Sequence, residues 1–242
     1  MKRGFVLIPG AGLSDWVWAK LIPLLNMEAV SIPRRIEHNT CENRLSSGFG
    51  DILDYAERVI RCSGLDEVIL VGHSGAGLIA GELGERIQHV KHVVFLAANI
   101  PLHGGTALEL FSEEVRTSMI AAVKRQALAD AIPIKNLEPT FRAYFCNRTP
   151  EEDIAYILQQ DFLPEPVCVL THPADWRSYP EVGMSYILCK DDRTLTVSQQ
   201  ECAAANLGIT DIRRISSDHM IMISQAELLS NELNDIGLAE CR

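Results

Sequence analysis

The run Val68-Ile-Leu-Val71, followed at once by Gly72-His-Ser-Gly-Ala-Gly77 and the helix-forming Leu78-Ile-Ala-Gly-Glu-Leu83, constrains this chain more than any other stretch. Four apolar residues in a row read as a buried strand, and the residues after the glycines as a helix that opens behind a tight turn. A strand, a sharp turn with serine at its apex and an immediate helix is the context of a nucleophile elbow. There the backbone strain lifts the serine hydroxyl off the sheet, and the next amide faces a reacting carbonyl beside the positive end of the helix. Neighbours must be small to clear strand and helix. Gly72, Gly75 and Gly77 satisfy this, and Ala76 stands where the usual pattern has its last glycine. Ser74 is therefore the candidate nucleophile. A G-x-S-x-small string arises by accident in about a tenth of chains this long, and a serine capping an ordinary helix would also produce it, so the rest of the chain has to decide.

Strand-like runs recur at 5–8, 28–32, 68–71, 92–97, 185–189 and 211–215, most of them continuous and apolar, as strands covered on both faces should be. Helical segments fall between them at 15–25, 50–62, 77–88, 198–206 and 225–235. The expected fold class is α/β, a mostly parallel sheet with helices on both faces. Gly77, Gly81 and Gly84 share one helical face and predict a close approach of that helix to the sheet. The alternation stops between about 99 and 180. That stretch has amphipathic helical pieces at 108–126 and 151–160 and holds eight of the fifteen aromatic residues: Phe111, Phe141, Tyr144, Phe145, Tyr156, Phe162, Trp176 and Tyr179. It is read as a helical lid inserted between two parts of one core, 1–98 and 181–242, at the edge where such a sheet places its site. Most of these rings are expected to form the insert's own small core rather than a pocket wall.

A chain of 242 residues that is 47% hydrophobic can bury one large core. No apolar run reaches the roughly 18 residues that would read as a membrane span. Met1-Lys-Arg followed by Gly4-Phe-Val-Leu-Ile8 superficially imitates an export signal, but it breaks at Pro9-Gly10; it reads as a first strand, with no export expected. A net charge of −10 opposes binding to phosphate backbones and anionic membranes. The seven cysteines are scattered, without a CxxC pair or nearby histidine spacing, which implies reduced thiols in a cytosolic protein and neither disulfides nor a zinc site. Cys189, on an apolar run, reads as a small core residue. No cofactor is expected. The sequence does not set the oligomeric state, and a homodimer is left open.

A serine nucleophile needs a base and a group to orient that base. Among the histidines, His38, His89, His92, His103 and His172 occupy no evident loop at the edge where Ser74 emerges, and His73 is expected to face away from it. His219, in Ser216-Ser-Asp-His-Met220, lies just past the last strand and ahead of the last helix, a loop at that edge. In this type of fold the acid follows the preceding strand. Lys190-Asp-Asp192 offers Asp192, with Asp191 as the alternative, while Asp218 suits capping of the turn that follows it. The oxyanion hole needs two backbone donors: Gly75 N–H, and Ala11 N–H from the loop Pro9-Gly-Ala-Gly12. That loop also begins a G-x-G-x-x-G string, but Asp15 replaces the third glycine, which argues against a dinucleotide turn.

These residues resemble the α/β hydrolase family, and more narrowly its branch of plant-type methyl esterases and hydroxynitrile lyases. The resemblance runs through Phe5-Val-Leu-Ile-Pro-Gly-Ala-Gly12 with Trp16-Val-Trp18, Val68 to Ser74, Tyr186-Ile-Leu-Cys-Lys-Asp-Asp192 and Ser217-Asp-His-Met-Ile-Met222. Pro9 departs from the histidine usual at the start of the oxyanion loop. Lyases of this branch typically have a lysine after the catalytic histidine and a threonine early in the oxyanion loop. The resemblance thus places Met220 and Gly10 against substrate, and an apolar Met220 cannot stabilise cyanide. It implies a serine carboxylesterase for small, fairly apolar esters. The alternatives are lyase or cyclase chemistry on the same triad, and a non-catalytic small-ligand receptor.

Overall fold

The computed structural model describes residues 1–33, 48–109, 111–126, 132–163, 166, 168–175 and 182–239. In chain order its elements are β1 (Arg3–Ile8), β2 (Glu28–Ser31), α1 (Phe49–Cys62), β3 (Glu67–His73), α2 (Gly77–Arg86), β4 (Val90–Leu96), α3 (Glu113–Gln126), β5 (Ile132–Pro133), α4 (Glu151–Ile157), β6 (Asp161–Phe162), β7 (Gly183–Cys189), α5 (Val197–Asn206), β8 (Asp211–Ile215) and α6 (Ala226–Ala239), joined by short helical turns. Six strands form one sheet in the order β2-β1-β3-β4-β7-β8, and every pairing in it is parallel. The short β5 and β6 pair antiparallel, apart from that sheet.

The apolar runs become central strands because both faces of the sheet are covered. Alternate residues supply two separate cores. Val6, Ile8, Val68, Leu70, Phe95 and Leu188 face α1, α2 and α5, whereas Phe5, Leu7, Ile69, Val71, Leu96 and Cys189 face the 13–21 turn, Ile221 to Ile223 and α6. Cys189 is fully buried, and burial first of all pushes its thiol well above the usual range. The outermost strands β2 and β8 are only partly buried, as edge positions allow. Among the described residues, no helix is long and apolar enough to cross a membrane.

The expected helix at 15–25 is instead two short 3₁₀ turns, Asp15–Trp18 and Ile22–Leu24. Pro23 accounts for the break: it has no N–H to continue an α-helix, and its ring would strike the carbonyl one turn earlier. Gly77 does permit a close approach, since a Cβ there would fall 2.8 Å from Ala98 Cβ. In the stretch between β4 and β7, α3 begins at Glu113, after a series of turns, and α4 ends at Ile157. His38, Cys41, Trp176, Tyr179 and Cys241 lie outside the described residues.

The parallel register places one end of each central strand on a common edge. Ile8 pairs with Gly72, Gly72 with Phe95, and Leu96 with Ile187. The loops that follow β1, β3, β4, β7 and β8 therefore emerge together, which is where an open parallel sheet concentrates its chemistry.

Candidate active site

The elbow forms because strand and helix meet almost without a linker. Ser74 has φ +54°, a left-handed conformation that a non-glycine residue adopts only under tertiary constraint. Gly72 is required by space: a Cβ on it would lie 2.6 Å from Ala80 Cβ and 2.8 Å from the Ala76 carbonyl oxygen. Ala76 is itself fully buried, so the methyl that departs from the usual glycine is accommodated in the core. Asn99 N–H donates to the Ser74 carbonyl at 3.2 Å and ties the elbow to the loop after β4.

Ser74, His219 and Asp192 meet from the ends of three strands. His219 Nε2 lies 3.0 Å from Ser74 Oγ, and His219 Nδ1 lies 2.6 Å from Asp192 Oδ2. The other oxygen of Asp192 accepts from Thr194 N–H at 2.7 Å and Leu195 N–H at 2.9 Å, and the imidazole and the carboxylate side chains are both fully buried. The carboxylate is thus locked in orientation, and it selects the imidazole tautomer that carries hydrogen on Nδ1. Asp191, the alternative acid, turns the other way: its carboxylate lies 3.7 Å from Arg148 Nε.

Two expectations about neighbouring residues are corrected. His73 does not face away; it is fully buried, its ring centroid is 4.7 Å from that of His219, and its Nε2 lies 3.0 Å from the His219 carbonyl oxygen. A carbonyl can only accept, so His73 carries hydrogen on Nε2. Burial, reinforced by the charge of a protonated His219, holds its pKa well below the usual imidazole value. The ring is a neutral donor that fixes the backbone of the base. Asp218 is not a simple turn cap: buried, it accepts from Arg148 N–H at 2.9 Å, Thr149 Oγ1 at 2.7 Å and Ser224 Oγ at 2.7 Å. It ties the histidine loop to the segment just before α4.

The oxyanion loop is a tight turn in which Leu13 N–H donates to the Gly10 carbonyl at 3.0 Å and Gly12 has φ +73°. Ala11 N lies 3.9 Å from where a Cβ on Gly75 would sit, so the two expected donor residues converge beside Ser74. Phe162 covers Gly12 so closely that a Cβ there would fall 2.0 Å from its ring, and Leu163 N–H donates to the Gly12 carbonyl at 2.8 Å. Gly12→Ala therefore forces a left-handed alanine and displaces that ring. It is expected to lower stability by about 2 to 4 kcal/mol, and a denaturant melt checks this.

The chain matches the model of the alpha/beta hydrolase family over residues 5–232. It belongs to that family. Salicylic acid-binding protein 2 of Nicotiana tabacum is 28% identical over 259 residues, covering 98% of each chain, and polyneuridine aldehyde esterase of Rauvolfia serpentina is 24% identical over 281 residues, covering 98% of this chain and 96% of the relative. Among solved structures, polyneuridine aldehyde esterase superposes with a TM-score of 0.71 at 20% identity over 98% of this chain and all of the other. An extracellular alpha/beta-hydrolase from a Paenibacillus species superposes with a TM-score of 0.77 at 17% identity over 96% and 98% of the two chains.

In this α/β hydrolase a cavity of about 230 Å³ opens onto Ser74. Ala11 and Gly75 line it on the sheet side. Ala107, Phe111, Met119, Phe145, Phe162, Val169 and Leu170 form an apolar wall contributed by the chain between β4 and β7. Three of the eight aromatics of that stretch, Phe111, Phe145 and Phe162, therefore face the cavity, and Phe145 also meets the His219 ring edge-on at a centroid distance of 5.4 Å. Gly10 and Met220, expected against substrate, are buried outside the lining. A Cβ on Gly10 would lie 2.7 Å from His73 Nδ1 and 3.0 Å from Ser74 Cβ, so this glycine is there for packing. Among the described residues no cluster of His, Cys, Asp and Glu could hold a metal ion. Sequence reasoning missed His73, Phe145 and Asn99 as parts of the site; the run ending at 97 was the only signal that Asn99 would emerge at the same edge as Ser74.

Proposed function

We propose that this chain is a carboxylesterase that cleaves small, fairly apolar esters through an acyl-enzyme on Ser74. The observation that carries the reading is the unbroken relay from Asp192 through His219 to Ser74 Oγ at the floor of an apolar cavity. Ser74 Oγ attacks the ester carbonyl carbon while His219 Nε2 takes its proton, and the oxygen that becomes negative sits between the Ala11 and Gly75 amides. Collapse of the tetrahedral species breaks the carbon–alkoxy bond, and His219 returns the proton to the departing alcohol. Water then attacks the acyl group, His219 accepts its proton, and the acid leaves as Ser74 regains its hydrogen. The Asp192 carboxylate, held against His219 Nδ1, stabilises the imidazolium each time His219 takes up a proton.

Residues 99–180 act in this reading as the lid that shapes the acyl and alcohol sites; its support is the number of cavity walls drawn from that stretch. Cytosolic residence belongs to the same reading, supported by the free thiols of Cys62, Cys146, Cys189 and Cys202 among the described residues. The names of two relatives, polyneuridine aldehyde esterase of Rauvolfia serpentina and methylesterase 14 of Arabidopsis thaliana, point to ester cleavage as well. The test is hydrolysis of a panel of methyl and p-nitrophenyl esters of graded acyl size. Release of the free acid with a preference for uncharged acyl groups is expected. Cleavage of cyanohydrins with no ester turnover would favour the lyase, and tight binding with no turnover a receptor.

A further inference from the structure

His219 is flanked on both sides by residues bound to one stretch of chain, 144–149. Asp218, the residue before it, is fully buried, and its Oδ2 accepts from Arg148 N–H at 2.9 Å and from Thr149 Oγ1 at 2.7 Å. Met220, the residue after it, donates its N–H to the Phe145 carbonyl at 3.3 Å. The same strap grips the loop of the catalytic acid: Asn147 Nδ2 donates to the Asp191 carbonyl at 3.0 Å, and Thr194 Oγ1 donates to the Tyr144 carbonyl at 3.0 Å. The two loops also touch directly, with Asp191 N–H donating to the Ser217 carbonyl at 3.0 Å, so what the strap adds is the placement of the residues just beyond that point. A buried carboxylate is unfavourable unless its oxygens are hydrogen-bonded. Both oxygens of Asp218 are engaged, because Oδ1 accepts from Ser224 Oγ at 2.7 Å. One side chain thus joins the strap, the histidine loop and the turn that follows it.

We infer that Asp218 is a positioning residue for the reaction at Ser74: bound to Arg148 and Thr149 of the strap, it sets the loop from which His219 reaches both Ser74 Oγ and Asp192. The inference rests on the esterase reading for the reaction that reports it. His219 Nε2 lies 3.0 Å from Ser74 Oγ and Nδ1 lies 2.6 Å from Asp192 Oδ2, so the loop cannot shift without lengthening one of these contacts. A catalytic group misplaced by about 1 Å costs about 10²-fold in rate. Asparagine at this position retains all three contacts of the carboxylate. Its carbonyl oxygen takes the Arg148 and Thr149 donors, and its NH₂ donates to Ser224 Oγ, whose own hydrogen has a second acceptor in the Met220 carbonyl at 3.3 Å. The role is one of geometry, and Asp218→Asn is its conservative control.

The experiment follows hydrolysis of p-nitrophenyl butanoate by the wild type, Asp218→Ala, Asp218→Asn and Thr149→Val. In folded Asp218→Ala, kcat should fall about 10²-fold with KM within about threefold of wild type, and Asp218→Asn should recover most of that loss. Thr149→Val keeps the volume and removes one donor. Alone it should lower kcat about fivefold, and combined with Asp218→Ala it should add nothing, because both act through one contact. If Asp218→Ala does not fold, Thr149→Val carries the test by itself. An unchanged kcat in Thr149→Val overturns the inference, as do a loss confined to KM in folded Asp218→Ala and losses that multiply in the double variant. If the wild type turns over no ester, the esterase reading fails on its own and the His219 Nδ1 proton reports instead. Its downfield NMR resonance, sheltered in a fully buried ring, should be sharp in the wild type and Asp218→Asn and displaced or broadened in the other two variants. The same resonance in all four proteins overturns the inference.

Discussion

Ser74→Ala is expected to lower kcat for any ester the enzyme turns over by about 10⁵-fold or more, while the protein still unfolds cooperatively. The size of the effect follows from the arrangement. With Oγ gone there is no atom to form the acyl-enzyme, and His219, whose Nε2 is aimed at that oxygen from 3.0 Å, has no proton to take. Removing the nucleophile of such a unit costs nearly as much as removing the whole triad, leaving only the contribution of the oxyanion donors and of binding. Stability should move the other way in a related variant. Ser74 has φ +54°, so Ser74→Gly relieves backbone strain and is expected to unfold at a higher denaturant concentration than Ser74→Ala, by about 1 to 2 kcal/mol. Steady-state turnover together with urea melts of the three proteins makes the check. Residual activity within tenfold of wild type in the alanine variant would remove Ser74 from the mechanism.

Asp192→Asn should cost about 10⁴ in kcat through a proton in the wrong place. Two backbone amides, of Thr194 and Leu195, donate to Asp192 Oδ1. An asparagine would give its carbonyl oxygen to those amides and turn its NH₂ toward His219 Nδ1. That nitrogen would then have to accept, the imidazole would carry its hydrogen on Nε2, and the base facing Ser74 would already be protonated. The substitution barely changes volume, so the loss should appear in kcat with the melt little altered. Asp191→Asn is the control. Its carboxylate reaches toward Arg148 rather than His219, and turnover should stay near wild type. A large loss in Asp191→Asn with little in Asp192→Asn would reverse the assignment of the acid.

The strands were legible because a parallel sheet covered on both faces asks each strand for a continuous apolar run, a signal contained in four to seven neighbouring residues. The elbow was legible for a similar reason: the glycine at position 72 is needed by contacts within eight residues of chain, to Ala76 and Ala80. Helix ends were less so. The 3₁₀ turns at 15–24 reflect one proline against an otherwise helical pattern. The roles of aromatic residues were least legible: Phe111, Phe145 and Phe162 face a cavity while Phe141 packs in the core, though all four share one composition-rich stretch.

By itself the sequence determined the α/β architecture, the serine at the strand-to-helix turn, and the loops from which an acid and a histidine would come, since each depends on order along the chain. Only the tertiary structure brought Asp192 rather than Asp191 against His219, turned His73 toward that histidine, withdrew Met220 and Gly10 into the packing, and placed Asn99 in the cavity wall. Those outcomes depend on side-chain direction at contacts between residues as far as 146 positions apart, as from His73 to His219. Such directions are set by how separate strands align in register and by which neighbours fill the space between them, and no local periodicity encodes either.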